Sequence, residues 1–541
     1  MKTKAALFSL RALTTVIPLT LPLAIPLLPS DMVPSAEARE NSFSGGGSVN
    51  YEFYDKSSGD TVQPAGSVGR AAAPVVQPNN DENYSRIIIN PILTLNSVGD
   101  KNAVNLTYSP SLIYGDGDNG QLQHMVKIGA NWSPTSRWTV AVSESYQQTD
   151  SDLDNVNMAG FTPQPATTQS GNPPAAPTAQ TGTGAGTGTG AGASQTSQTG
   201  NDSQLSDRPG RQQYATNTLH TEANYEYWED SFFNFGYDFE QLRYDDLVGS
   251  NQDYDKHSVF ANINHRLNSQ YRLSAQARYV QGKFDDAAPL SEPKSGEPVA
   301  AGAQDHAAAG VSTSGSSDVD EFHVSTSIES LVIPHHPLNL TYSFSTCSYD
   351  DERQGDSQVH NLLFGWTWEM SQKSRFTLSA GPTLEKNGDD DSWNYAINAS
   401  YNRQWSPTGQ IAFSVAHGAE IRNFSGNQDD NGMTEYWRGG VDVSQGLTEN
   451  LALHLMATAA NEDVTANTSP TESKLENDMA GGARNTRQYT VSGGLNYNFA
   501  RWYSVGLNYS YTTQDGDLPA DNYDEQRLML VLSMQRDFFH W

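Results

Sequence analysis

The chain has 541 residues, with 62 acidic against 32 basic side chains, a formal net charge of −30 and a single cysteine. That charge excludes a generic nucleic-acid binder, which needs a basic footprint, and the lone Cys347 excludes an internal disulfide framework. A mean hydropathy of −0.59 does not exclude a membrane protein, because membrane barrels have half-apolar strands and polar loops.

The N-terminus reads as an export signal. Lys2, Lys4 and Arg11 supply positive charge, residues 12–28 form an apolar stretch, and Ala36-Glu37-Ala38 offers a small-x-small cleavage site. Pro18, Pro22 and Pro26 argue against a transmembrane helix. No later stretch reaches the roughly 20 apolar residues such a helix needs. Residues 1–38 are therefore expected to be removed, leaving a mature chain that starts near Arg39.

Residues 39–83 are rich in Gly, Ser, Pro and Asn and are expected to be flexible and largely irregular. Val49, Tyr51 and Phe53 alternate with polar residues there and mark a candidate first strand. From Tyr84 to Trp541 a hairpin pattern repeats. Ile87, Ile89, Leu93 and Leu95 share one face, then Val104, Leu106, Tyr108 and Leu112 follow the Gly99-Asp100 turn. Pro91 and Pro110 interrupt these two strands and predict bulges or strand ends. Further short turns are predicted at 133–135, 229–230, 268–269, 334–337, 371–373, 406–409, 448–450 and 500–501. Longer, acidic connections lie between them, which predicts short turns at the periplasmic end and long loops outside. Two insertions stand out, 149–212 and 285–318. The first carries a Gly/Thr/Ala run at 181–190 that cannot pack a core and is expected to be disordered.

The clearest copy of the repeat runs from Arg487 to Gln514. Tyr489, Val491, Leu495 and Tyr497 oppose Thr490, Ser492, Gly494 and Asn496; then Tyr503, Val505, Leu507 and Tyr509 oppose Ser504, Gly506, Asn508 and Ser510. Successive side chains of a strand point to opposite faces, so each segment has one apolar face and one small polar face. The polar face has too little apolar surface for a sandwich core. A transmembrane antiparallel up-and-down β-barrel fits, lipid outside and water inside. Counting turns gives about 20 strands, or 18 if the first segment is not a strand.

The same parity assigns the faces elsewhere. Trp138, Phe235, Tyr237, Trp366, Trp393, Tyr395, Tyr497, Tyr503, Tyr509 and Phe538 are expected to face lipid or sit in the aromatic girdles. Ile411, Phe413, Val415 and Ile421 are placed on the same outer face, whereas His124 and Glu144 fall among apolar residues and break the pattern. Asp238, Glu240, Arg266, Arg272, Arg278, Glu385, Glu420, Arg422, Arg438 and Asp442 are expected to line the lumen. Such charges either set which ions pass or pair across strands and keep the interior wet.

No catalytic, metal or cofactor site is expected. The 12 histidines are scattered, and His265, His417 and His454 stand alone on their strands. No HExxH, Gly-x-Ser-x-Gly or CxxC arrangement occurs. The last strand, Glu525 to Trp541, carries Leu528, Leu530, Leu532, Met534 and Phe538 on one face. Arg536 interrupts that face and Trp541 is out of phase, so either a bulge resets the register or Phe538 is the terminal anchor.

Gly-Leu-Asn-Tyr at 494–497, Arg501-Trp502, Gly506 to Tyr511 and Asn522 to Arg527 resemble the C-terminal end of outer-membrane β-barrel porin families, including the barrels associated with polysaccharide and exosortase loci in Gram-negative bacteria. Trp132-Ser133-Pro134 and Arg137-Trp138-Thr139 are similar in style, so the resemblance spans residues 84–541 apart from the two long loops. It implies an outer-membrane barrel of porin type, exported through a cleavable signal peptide. Its expected contacts are outer-membrane lipid, lipopolysaccharide and the barrel-insertion machinery, with no nucleic acid and no indicated oligomeric state. The expected role is a channel or export conduit for small solutes or saccharides. The alternative is a structural or surface-interaction barrel whose lumen is blocked and whose acidic loops bind cations or glycans.

Overall fold

The computed structural model describes residues 40–58, 82–115, 118–150, 213–245, 253–284, 318–350, 355–388, 390–424, 432–465, 484–517 and 522–540. The export signal, the Gly-rich run, most of both long insertions and Trp541 lie outside the described residues. Twenty-two strand segments, from β1 (Glu40–Ser58) to β22 (Tyr523–His540), form one antiparallel sheet. β1 pairs with β22 on one side and with β2 (Glu82–Val98) on the other, so the sheet closes. Two staves are broken. β3 (Asn102–Tyr108) and β4 (Ser111–Gly115) both lie along β2, and β5 (Asp118–Gln123) and β6 (Met125–Thr135) return beside them. With each broken pair taken as one stave, the molecule is a closed antiparallel barrel of 20 strands.

The breaks have a local cause. Pro110 lies between β3 and β4, opposite the stretch of β2 that contains Pro91. Proline brings no N–H to a ladder. The pairing there passes instead to a reciprocal pair of backbone bonds between Ser109 and Met125, of 2.9 and 3.2 Å. His124 occupies the gap between β5 and β6 on the outer face, its Nδ1 3.1 Å from the Tyr108 hydroxyl. Glu144 also faces outward, paired between Ile128 and Leu219.

The expectation that 39–83 is largely irregular needs correction at its first half, because β1 is a 19-residue strand. Its glycines explain both the misreading and the strand. A side chain at Gly46 would stand 2.3 Å from the Met534 carbonyl oxygen, and one at Gly47 would stand 2.8 Å from that of Asn90. Their absence lets β1 seat between β2 and β22.

The nine short turns fall within a residue or two of their predicted places. Two are displaced: 133–135 stay in β6 and the turn is Ser136-Arg137, and the last turn is Arg501-Trp502. The opposite end is not made of long loops throughout. β15 (Ser374–Asn387) joins β16 (Asp390–Ser406) across Gly388-Asp389 alone, with Gly388 in the left-handed region at φ 59°. At the C-terminus a β-bulge resets the register: Phe43 pairs with Phe539 and Ser44 with Asp537, leaving Phe538 as the extra residue. Phe538 lies over Gly45, where a side chain would meet its ring at 2.3 Å.

Register carries the alternation round the barrel. Tyr497, Val505, Leu532, Val49 and Ile89 pair in succession across five strands, and all but Val505 are among the large exposed apolar side chains. A nitroxide at Leu507 is expected to be relaxed by oxygen, which partitions into lipid, and one at Asn508 by a water-soluble nickel chelate. The reverse pattern would invert the assignment of faces.

Candidate pore and its constriction

The inner face is charged, and the charges are mostly paired between strands. Asp238 on β9 (Ser231–Tyr244) receives Arg278 at 3.1 Å and lies against His220 of β8 (Gln213–Trp228). Glu240 receives Lys256 at 3.2 Å and the Tyr254 hydroxyl at 2.8 Å. Arg266 meets Asp230 at 2.6 Å beside a short turn, and Arg272 lies 3.8 Å from Glu329. Asp442 pairs with His454 at 2.6 Å, so that histidine is not isolated in space. Glu420, Arg422 and Arg438 join Glu462 in a quartet. Arg422 donates to both Glu462 oxygens, at 2.7 and 3.0 Å, and Arg438 bridges Glu420 and Glu462 at 2.6 and 2.9 Å. Sequence separations of up to 40 residues hide this quartet from inspection of the chain.

Glu385 is the exception. Ser392 donates to its Oε2 at 3.5 Å and Asn394 stands nearby, but Oε1 is buried without a hydrogen bond. Among the described residues no group of three or more His, Cys, Asp or Glu is placed to hold a metal ion.

On the outer face, Phe235, Trp393, Tyr395, Tyr497, Tyr503, Tyr509 and Phe538 are all exposed. Trp138 stacks on Tyr225 at 4.7 Å and Trp366 on Trp368 at 5.9 Å. Tyr237 contacts His257 Nδ1 at 2.8 Å, and the same pairing recurs in Tyr227–His265 and Tyr342–His360. His257 and His360 thus pair with tyrosines on adjacent strands, and His265, which looks isolated along the chain, reaches Tyr227 across the start of β9.

The largest departure from a plain cylinder is at β17 (Gly409–Arg422). It pairs with β16 only as far as Ile397↔His417. Beyond that point β16 stays with β15, whereas β17 continues with β18 (Gly432–Gly446) to Arg422↔Gly432. The β17–β18 tip turns into the barrel. Phe424 approaches the rings of Tyr254 and Phe284 at 5.5 and 5.6 Å, on β10 (Tyr254–Arg266) and β11 (Tyr271–Phe284). Asn423 Nδ2 donates to Glu321 Oε1 at 2.7 Å, on β12 (Val319–Ser330). Four strands separate β17 from β12 in the sheet, so a tip crossing the interior is what makes these contacts.

Ile421 therefore does not face lipid, as parity predicted. It is buried with Met433 in an apolar cluster on the inner wall, among Leu242, Tyr254, Phe284, Val319, Cys347 and Val359. The alternation itself is intact. The hairpin passes through the line of the wall, and one strand face meets the outside below and the opposite inner wall above. Cys347 is a fully buried filler in this cluster, its Sγ 3.7 Å from the Tyr349 hydroxyl. The quartet lies on the other face of the hairpin, so a charged surface and an apolar surface share one constriction.

A second buried ion group closes the wall where the chain ends meet. Glu52 of β1 pairs with Arg86 of β2, and Arg527 Nε of β22 lies 3.1 Å from its other oxygen. Tyr54 and Tyr84 stack beside them at 4.7 Å, and both arginines lie over these rings.

No protein-family profile and no curated protein matches the chain. Among solved structures, the siderophore receptor PiuA from Acinetobacter baumannii is 10% identical, with 92% of this chain and 82% of the receptor covered at a TM-score of 0.46. The siderophore receptor PirA from Pseudomonas aeruginosa is 8% identical, with 92% and 80% covered at 0.43. OpdQ from Pseudomonas aeruginosa is 9% identical, with 92% and 98% covered at 0.35. At these identities the likeness is one of fold and says nothing about cargo.

Proposed function

We propose that this protein is an outer-membrane β-barrel channel of porin type that conducts small hydrophilic solutes or saccharides through its lumen. The observation that carries the reading is a closed wall of 20 strands with an apolar, aromatic outer face and a charged inner face. Closure by β1 and β22 leaves no free terminal edge for lipid to meet unsatisfied, and a barrel of this size has room for an aqueous path. The same reading includes export through the N-terminal signal, residence in a bacterial outer membrane, contact with lipopolysaccharide, and insertion through the last strand. The long acidic loops belong to the outer surface in this arrangement. Conductance of the refolded protein in a planar bilayer tests the channel, and current no greater than that of protein-free bilayers would overturn it.

The apolar cluster across the lumen favours a second reading, a structural or surface-interaction barrel with a blocked interior. Ion selectivity separates the two. The constriction quartet holds two carboxylates and two guanidiniums and is close to neutral. In a conducting pore, Glu420→Gln with Glu462→Gln leaves two uncompensated arginines there and is expected to move the reversal potential in a potassium chloride gradient toward anion preference. An unchanged reversal potential at normal conductance would show that ions take a path away from this quartet.

A further inference from the structure

A barrel excludes lipid from its interior by an unbroken ring of backbone hydrogen bonds. Here the ring is interrupted. Above Ile397↔His417, residues 390–396 of β16 and 418–422 of β17 continue as strands without each other. Side-chain packing replaces the ladder along this seam. One face of the β17–β18 hairpin passes through it: Val415 and Trp437 are 46% and 42% exposed outside, His417 is 1% exposed at the crossing, and Ile421 and Met433 are 5% and 8% exposed inside. Trp393 and Tyr395 stand at the outer rim, and the His417 ring lies between Tyr395 at 4.6 Å and Trp437 at 4.2 Å. A largely apolar path, broken by Glu435 between Trp437 and Met433, thus leads from the upper aromatic girdle to the lumenal cluster.

The polar groups along this path accept hydrogen bonds. His417 Nδ1 donates to the Tyr436 carbonyl at 2.9 Å, so Nε2 is an acceptor whenever the ring is uncharged. That nitrogen is buried without a hydrogen bond, with Glu435 Oε1 3.9 Å away. Beside the path, on β15 opposite Ser392, the Glu385 carboxyl has Asn394 and Ser392 as partners while its Oε1 is buried and unbonded, and it is close enough to feel the charge of Glu435. Arg422 and Arg438 are committed to Glu420 and Glu462 on the opposite face of the hairpin. A buried acceptor without a donor is costly, and a ligand hydroxyl would supply the missing bond. An anionic head group would be repelled by the two carboxylates.

We propose that the β16–β17 seam is a lateral binding site for a single-chain amphiphile with an uncharged, hydroxyl-bearing head group. Its chain lies past His417 toward Ile421 and Met433, and its hydroxyls meet Glu385 and His417. The site rests on the membrane reading of the outer face but not on ion conduction.

A monoacylglycerol with a diazirine in its chain, incorporated into phosphatidylcholine vesicles with the refolded protein, provides the test. A Cβ at Gly418 would lie 3.5 Å from that of Ala396, within the range a disulfide spans, so Ala396→Cys with Gly418→Cys in a Cys347→Ala background can lock the seam. In the reduced protein, photolabel is expected on residues 417–421 and Met433. On oxidation it is expected to fall about tenfold, to return with reductant, and to stay unchanged at lipid-facing Leu507 and Leu530. Ala396→Trp, which fills the seam by bulk, is expected to give the same loss. Label confined to positions such as Leu507 and Leu530, or seam labelling that neither the disulfide nor the tryptophan reduces, would overturn the proposal. Conductance of the same preparation reports on the channel separately: absent current with seam labelling would remove the channel reading and leave this site standing.

Discussion

Ile421→Asp and Met433→Asp are each expected to raise single-channel conductance by roughly twofold or more, because a constriction in series with wider vestibules sets the resistance of a large barrel. Both side chains are buried in the apolar cluster that holds the β17–β18 tip against the opposite wall. An unpaired carboxylate in such a place costs several kcal/mol, more than a few apolar contacts can offset. The tip then leaves its seat while the ladders below His417 and Trp437 keep the wall closed. Refolded variants with native strand content and unchanged conductance would show that the tip does not border the conducting path. A variant that conducts more but keeps its reversal potential would place the change at the apolar surface and not at the quartet.

The second large effect is expected at the junction of the chain ends. Glu52 is fully buried between Arg86 and Arg527, and Glu52→Ala leaves two guanidiniums facing each other without their shared anion. Removing one partner of a buried ion group costs about 3–5 kcal/mol. The loss should appear as a lower urea midpoint for unfolding from detergent or bilayer, followed by tryptophan fluorescence. Glu52→Gln keeps the shape and is expected to recover only part of it. An Ala variant with the parent midpoint would mean that the other contacts of these arginines suffice.

Alternation made most of the wall legible in the sequence, because the strand period does not depend on what lies further off. Tyr489 to Tyr511 could be assigned to faces residue by residue, and the nine short turns followed from the punctuation between such runs. The candidate first strand was readable from Val49, Tyr51 and Phe53, but its full length was not. Gly45 to Gly47, which look like loop composition, let β1 approach its neighbours closely. The irregularity at the C-terminus was visible as a conflict of phase around Arg536 and Trp541, and pairing resolved it as a bulge at Phe538.

The constriction was hidden for a different reason. Ala419 and Ile421 obey the same parity as Phe413 and Val415, and nothing local records that the hairpin has crossed the wall. The quartet of Glu420, Arg422, Arg438 and Glu462 depends on register among three strands, which local pattern does not supply. Parity reports which way a side chain points from its strand. It is silent on where the strand itself has gone.

The pairing of β1 with β22 has a consequence for how the molecule is made. The two strands that seal the wall lie at opposite ends of the described chain, so their register of Ser42↔His540 through Ser58↔Tyr523 joins residues hundreds of positions apart. Every other ladder joins strands that are successive in the chain or set apart only by the broken pair, so each closes a far shorter loop than the β1–β22 seam does. Assembly therefore divides into many fast local steps and one slow, long-range step. Until that step, both terminal strands present unpaired edges, and the partly built sheet is open to any other strand that can pair with it.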